Sequence, residues 1–158
     1  PAQAIEDRIA QVTQEAYDNG DYIFVAMDRH DEGDTFHPET KLFPPHNIAG
    51  TDGRELYGKL AGVYDAIKDD NRVFWMDKRH YSAFSGTDLD IRLRERRVTT
   101  VVLTGVLTDI CVLHTAIDAY NWGYDIEVVE SATASLTPEA HDFAIGHLKN
   151  VLGATIVE

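Results

Sequence analysis

Short apolar runs alternate with amphipathic helical patterns along this chain, and this alternation constrains the fold more than any other feature. Residues 22–27 and 73–76 are apolar runs bounded by polar residues, which is typical of strands buried on both faces. In the first helical segment, Ile5, Ile9 and Val12 recur at intervals of three and four residues. Strands that alternate with helices predict a single α/β domain with a mainly parallel, Rossmann-like sheet and helices on both faces.

The boundaries of the predicted elements follow from the apolar pattern and from residues that begin or end helices. Asn19 and Gly20 end the first helix, and Thr137 followed by Pro138 begins the last one. The polar stretch 28–53 is too long for a simple connection, so we expect it to be functional. The predicted strands cover residues 22–27, 73–76, 98–104, 126–129 and 155–157, and the predicted helices cover residues 1–19, 54–67, 88–97, 110–122 and 138–152.

Size and charge exclude several classes of protein. The chain has 158 residues, with 14 Lys and Arg against 27 Asp and Glu and a net charge of −13. This length suits one domain over residues 1–158. The acidic excess argues against a nucleic-acid partner, and no apolar run is long enough to span a bilayer. Cys111 is the one cysteine, so no intrachain disulfide can form and we expect a reducing, cytoplasmic location.

Polar side chains follow the first predicted strand, at the edge of a parallel sheet where ligands bind. Asp28 and His30 come directly after this strand, and His46 lies in a loop stiffened by prolines. Carboxylate and imidazole ligands together suit Zn²⁺, Fe²⁺ or Mn²⁺, and His37 and Glu39 lie between them and could join. Histidines in polar loops are more often simply solvated, so the pattern alone leaves both interpretations open.

Two further residues follow predicted strands. Lys78 comes after the second strand, where a lysine is ordinarily a surface residue. Cys111 lies in the first turn of a helix, just after a strand that ends at Gly105. Free N–H groups and the helix dipole favour a thiolate there, and they could also hold an oxyanion. A lone helical cysteine can equally be a small buried apolar residue, so the nucleophile and core interpretations stay open.

Several short motifs, in this order and spacing, together resemble the nicotinamidase branch of the isochorismatase-like cysteine hydrolases. The motifs are Asp28-x-His30, Phe43-Pro44-Pro45-His46, the segment Lys78 to Phe84, and Gly105-Val106-x-Thr108-Asp109-x-Cys111. The similarity extends from Pro1 to Glu158 and is strongest to streptococcal-type bacterial members. It implies an isochorismatase-like fold and an amidohydrolase that acts on a linear carboxamide.

The resemblance also implies a mechanism. Cys111 would attack the carboxamide carbon of nicotinamide and release ammonia, and water would then hydrolyse the thioester to nicotinic acid. Lys78 would favour ionisation of the thiol. The N–H groups of Leu107 and Cys111 would form the oxyanion hole, after a cis peptide between Val106 and Leu107. Pyrazinamide is an expected second substrate.

The resemblance further implies a divalent metal, zinc foremost with iron and manganese as alternatives, that binds the pyridine nitrogen. The implied ligands are Asp28, His30 and His46, with Glu39 as a candidate fourth. Phe43 and Tyr81 would pack against the flat pyridine ring.

One feature of the family has no match in this chain. The family's general-base aspartate ends a first strand that would precede Pro1, so we expect this sequence to be a piece that lacks that strand. Two alternatives stay open: a related cysteine hydrolase of another small amide or an isochorismate-like substrate, and an inactive metal-binding fragment. Because members of the family often assemble, we expect a homo-oligomer, with no nucleic-acid or membrane partner.

Overall fold

The computed structural model describes residues 1–158 and has the predicted alternation of strands and helices. The strands are β1 (Ile23–Asp28), β2 (Val73–Lys78), β3 (Thr100–Val106), β4 (Asp125–Ala134) and β5 (Thr155–Val157). The α-helices are α1 (Glu6–Asp18), α2 (Gly58–Ile67), α3 (Leu89–Glu95), α4 (Leu113–Asn121) and α5 (Pro138–Asn150). Three 3₁₀ helices (Ala2–Ile5, Pro38–Lys41 and Asp52–Arg54) and a π-helical turn (Thr108–Val112) complete the fold. No helix is both long and apolar enough to cross a membrane.

All strand pairs are parallel, as predicted, but the strands form two hydrogen-bonded groups and not one continuous sheet. β1 pairs with β2, while β3, β4 and β5 form a second group in that order. The register of the first group places Asp28 opposite Lys78 at the ends of their strands. Two of the residues that the sequence placed at strand ends therefore lie side by side.

Several predicted boundaries differ from the structure by a few residues, and two of these differences lie near the site. The helix predicted from residue 54 begins only at Gly58, because a 3₁₀ turn occupies Asp52–Arg54. β4 continues to Ala134, five residues beyond the predicted end. A register shift opposite Leu103 and Gly105 accommodates the polar residues that interrupt the apolar run of β4. After this shift, the end of β4 pairs with the end of β3, where the chain turns toward Cys111.

The core lies between the strands and the helices that cover them. Val128 of β4 and Leu148 of α5 are completely buried, and so are the small side chains Ala116 and Ala119 of α4. Small residues on this helix face allow α4 to pack closely against β4. Burial of one large aliphatic side chain contributes about 1.5–3 kcal/mol, so this layer holds α4 firmly in place.

Candidate active site

Cys111 lies in the turn that connects β3 to α4. Gly105 has a φ of 109°, a conformation that favours glycine. The peptide bond between Val106 and Leu107 is cis, as expected. Residues Thr108–Val112 then form a π-helical turn that leads into α4. The Cys111 side chain is half-buried, and its Sγ lies 3.5 Å from Lys78 Nζ.

Lys78 is buried, with only 4% of its surface exposed, so it is not the surface lysine that is usual at such a position. Its ammonium donates hydrogen bonds to the Asp28 carboxylate, to the His80 carbonyl at 3.0 Å and to Cys111 Sγ at 3.5 Å. A buried charge needs a partner, and Asp28 supplies the opposite charge. Lys78 therefore connects the thiol to the first residue of the predicted metal site.

The ionisation of Cys111 differs from what the helix start alone predicts. Burial raises the pKa of the Cys111 thiol above its ordinary value, and it outweighs the lowering effects of Lys78 and the Leu107 N–H. The nearby Asp28 carboxylate also raises the pKa. Burial therefore favours the neutral thiol over the thiolate, and attack by sulfur requires that the thiol proton be transferred.

Asp28, His30 and His46 come together at the end of β1. One potential ligand atom from each lies within 4.8 Å of the others, an arrangement that could hold a metal ion. The polar loop folds back through backbone hydrogen bonds from His30 N–H to Asn47 and from Ala49 N–H to His30, at 3.1 and 2.8 Å. These two bonds bring His46 next to His30, although it is distant in sequence.

Both histidines present a nitrogen that suits a metal. His46 Nδ1 donates to the Pro44 carbonyl at 2.9 Å, so its proton is on Nδ1 and Nε2 keeps a free lone pair. His30 Nε2 is buried without a hydrogen-bond partner, which would cost about 1–3 kcal/mol if nothing bound it. Burial lowers the pKa of His30, although Glu39 partly opposes this, and the neutral imidazole is the form that ligates metals. These features fit a divalent metal ion.

Glu39 faces the same two nitrogens. It is buried, and its Oε2 lies 3.7 Å from His30 Nε2 and 3.6 Å from His46 Nε2, beyond hydrogen-bond range. His37 does not join them: its Nε2 donates to the Arg79 carbonyl at 2.5 Å, and its Nδ1 accepts from the Glu39 N–H at 3.3 Å. His37 thus caps the 3₁₀ helix that carries Glu39 and has no free nitrogen.

The two predicted ring-binding residues contact different neighbours. The Phe43 ring contacts His46 edge-on at a centroid distance of 6.2 Å, whereas Tyr81 lies 5.2 Å from His114 of α4. A cavity of about 400 Å³ adjoins Tyr81, His114 and Glu39, but neither Cys111 nor Phe43 lines it. The structure thus places Phe43 beside the histidine cluster and Tyr81 beside α4.

Arg54 is a site residue that the sequence did not predict. Its Nε donates to the Asp28 carbonyl at 3.0 Å, and its guanidinium pairs with the carboxylate of Asp77 in β2. Arg54 therefore links the polar loop to both strands of the first group. No motif identifies an isolated arginine in a polar loop, so only the structure reveals this contact.

Comparisons with known proteins give a consistent picture. An isochorismatase domain family model matches residues 1–157. The isochorismatase family protein PncA of Bacillus subtilis (strain 168) is 52% identical over 158 residues, which cover 100% of this chain and 86% of that protein.

Solved structures are also similar to this chain. The crystal structure of a pyrazinamidase/nicotinamidase from Streptococcus mutans UA159 is 78% identical, with a TM-score of 0.97, and the match covers 99% of this chain and 87% of that one. The crystal structure of the pyrazinamidase of Pyrococcus horikoshii in complex with zinc is 26% identical, with a TM-score of 0.86. This match covers 100% of this chain and 87% of that one.

Proposed function

Because this chain belongs to the isochorismatase domain family, we propose that it is a nicotinamidase, an amidohydrolase that converts nicotinamide to nicotinic acid and ammonia. The observation that carries the proposal is the position of Lys78. Its ammonium contacts both Cys111 Sγ and the Asp28 carboxylate, so a candidate nucleophile adjoins a candidate metal site. Nicotinamide has a carboxamide and a ring nitrogen, which match these two sites. The reaction would serve pyridine-nucleotide salvage and NAD biosynthesis.

The names of similar proteins support the same substrate class. The Streptococcus mutans structure is described as a pyrazinamidase/nicotinamidase, and the Pyrococcus horikoshii structure as a pyrazinamidase with zinc. We therefore include pyrazinamide as a second substrate of this chain. Both compounds are aromatic carboxamides with a nitrogen in the ring.

In the proposed reaction, Cys111 Sγ bonds to the carboxamide carbon and the carbon–nitrogen bond breaks. The proton released by the thiol ends on the departing nitrogen, which leaves as ammonia. Water then cleaves the thioester, which yields nicotinic acid and restores the thiol. Lys78 stabilises negative charge on sulfur, and the N–H groups of Leu107 and Cys111 are the proposed donors to the developing oxyanion.

The residues proposed to hold a divalent metal are Asp28, His30 and His46, with Glu39 as a fourth ligand. The chemistry that a bound ion supplies at such a site is Lewis-acid binding of the pyridine nitrogen. Zinc suits the mixed carboxylate and imidazole set, and iron and manganese are the alternatives. Phe43 and Tyr81 are proposed to hold the flat ring, so that the carboxamide is directed toward Cys111.

A comparison of substrates tests the proposal. Ammonia release is measured with nicotinamide, pyrazinamide and an aliphatic amide, and release of pyruvate is measured with isochorismate. We expect kcat/KM for nicotinamide to be the highest, followed by pyrazinamide. Preference for the aliphatic amide or for isochorismate would assign a different hydrolase activity to this family member, and no turnover of any of the four would indicate an inactive metal-binding protein.

A further inference from the structure

A contact separate from that of Lys78 also holds the turn that carries Cys111. Thr108, three residues before Cys111, is completely buried, and its Oγ1 lies 2.9 Å from His141 Nδ1. His141 lies in the first turn of α5, where its N–H bonds back to the Thr137 carbonyl at 3.2 Å. A side chain on a different helix is thus hydrogen-bonded to the turn that sets the position of the thiol.

The other side of the imidazole faces an acidic residue. His141 Nε2 lies 3.8 Å from Glu130 Oε1, which is beyond hydrogen-bond range, so this contact is electrostatic only. The hydrogen bond between His141 Nδ1 and Thr108 Oγ1 is therefore the contact that ties this imidazole to the turn.

A second contact fixes the next residue of the turn. The Asp109 N–H donates to Ser135 Oγ at 3.3 Å, and the Ser135 hydroxyl donates to Asp109 Oδ1 at 2.6 Å. Two consecutive residues between the cis peptide and Cys111 are thus anchored to residues 130–141. Because Thr108 directly follows Leu107, a hydrogen bond that holds Thr108 also restrains the backbone of Leu107.

We infer that His141 is a positioning residue that, through Thr108, holds the turn bearing Leu107 and Cys111 in its reactive geometry. This inference rests on the proposed function, in which Cys111 is the nucleophile and Leu107 an oxyanion donor. His141 itself touches neither the thiol nor the proposed substrate site. Its contribution is to the placement of the reacting groups, and misplacement by about 1 Å can reduce turnover by about a hundredfold.

Two substitutions of His141 distinguish the contribution of Nδ1 from that of Nε2. His141→Asn places an amide where Nδ1 was and keeps a partner for Thr108, whereas His141→Gln places its amide near Nε2 and loses that partner. We expect His141→Gln to lower kcat for nicotinamide about tenfold or more with KM within about threefold, and His141→Asn to retain most of kcat. Equal losses in both variants, or full activity in His141→Gln, would overturn the inference.

A second pair tests the other partner and does not depend on how well the His141 variants fold. Thr108→Val removes the hydroxyl with little change in shape and should reproduce the His141→Gln loss, while Thr108→Ser keeps the hydroxyl and should be much more active. Thr13→Val is the matched control, since the Thr13 hydroxyl bonds only within α1, to the Ile9 carbonyl. A loss in Thr13→Val as large as in Thr108→Val would contradict a specific role.

A measurement that needs no substrate tests this inference independently of the proposed function. Cys111 is the one cysteine, so the rate of iodoacetamide alkylation against pH reports on this thiol alone. We expect an altered rate or pH profile in His141→Gln and Thr108→Val but not in His141→Asn. Unchanged profiles in all variants would contradict the inference, even if the wild-type protein hydrolysed no nicotinamide and the proposed function were wrong.

Discussion

Replacement of Lys78 by methionine should make the Cys111 thiol markedly harder to ionise. The substitution keeps an unbranched side chain of similar length and removes the ammonium, which lies 3.5 Å from Cys111 Sγ. Two unit charges at this distance interact by about 5 kcal/mol at an effective dielectric constant of about 20, which is equivalent to a pKa difference of about 3.5. Asp28, which already raises the pKa of Cys111, would remain without its partner and would act in the same direction.

Alkylation of Cys111 by iodoacetamide measures this effect, because the thiolate is the reactive form and no other cysteine competes. In wild-type protein, reactivity should increase with pH around a midpoint above that of an ordinary thiol, since burial raises the pKa of Cys111. We expect the midpoint in Lys78→Met to be higher still by at least about one pH unit.

The matched control is Lys68→Met, which removes an exposed lysine that pairs only with Asp65 on the surface. This variant should have the wild-type midpoint. A midpoint in Lys78→Met that equals or lies below the wild-type value would refute the account of Lys78 as the group that stabilises the thiolate.

Three further predictions concern the metal site and the core. His46→Ala should lower the zinc affinity of metal-stripped protein by at least about tenfold in an equilibrium titration. The control His147→Ala on α5 should bind zinc as the wild type does, and equal zinc affinities in the two variants would contradict the ligand assignment. Glu39→Gln removes the charge that faces both imidazoles, so we expect weaker zinc binding in the same titration with the melting temperature nearly unchanged or higher, and unchanged affinity would exclude Glu39 as a ligand. Leu148→Ala should reduce the free energy of unfolding, measured in urea, by about 2–5 kcal/mol, because this side chain is fully buried. Leu136→Ala, at an exposed position, should change it by less than about 0.5 kcal/mol, and similar losses in the two variants would contradict the placement of the core.

The sequence predicted the elements of the fold well where apolar patterns are continuous and less well where they are interrupted. β1 and β2 differ from their predicted bounds by one or two residues. β4 was predicted too short because Glu130 and Ser131 are polar and exposed, and only pairing with β3 past a register shift keeps them in the strand. The division into two strand groups depends on hydrogen bonds between distant segments, which no local pattern reports.

The candidate site shows the same limit. Strand-end placement predicted that Asp28 and Lys78 each follow a strand, but it did not predict that the two residues lie opposite each other. The closeness of Cys111 to Lys78 required the resemblance to a known family. The capping role of His37 and the bond between Thr108 and His141 join polar residues whose partners have no fixed spacing in the sequence.

The measurement that tests the central claim most directly is formation of nicotinic acid and ammonia from nicotinamide by the wild-type protein and by Cys111→Ala. The variant removes one sulfur atom from a half-buried position, so circular dichroism and the melting temperature should show that it is folded. We predict that the wild type forms both products in equal amounts and that Cys111→Ala is slower by at least about a thousandfold. A folded Cys111→Ala protein that hydrolyses nicotinamide within about tenfold of the wild-type rate would contradict the assignment of Cys111 as the nucleophile.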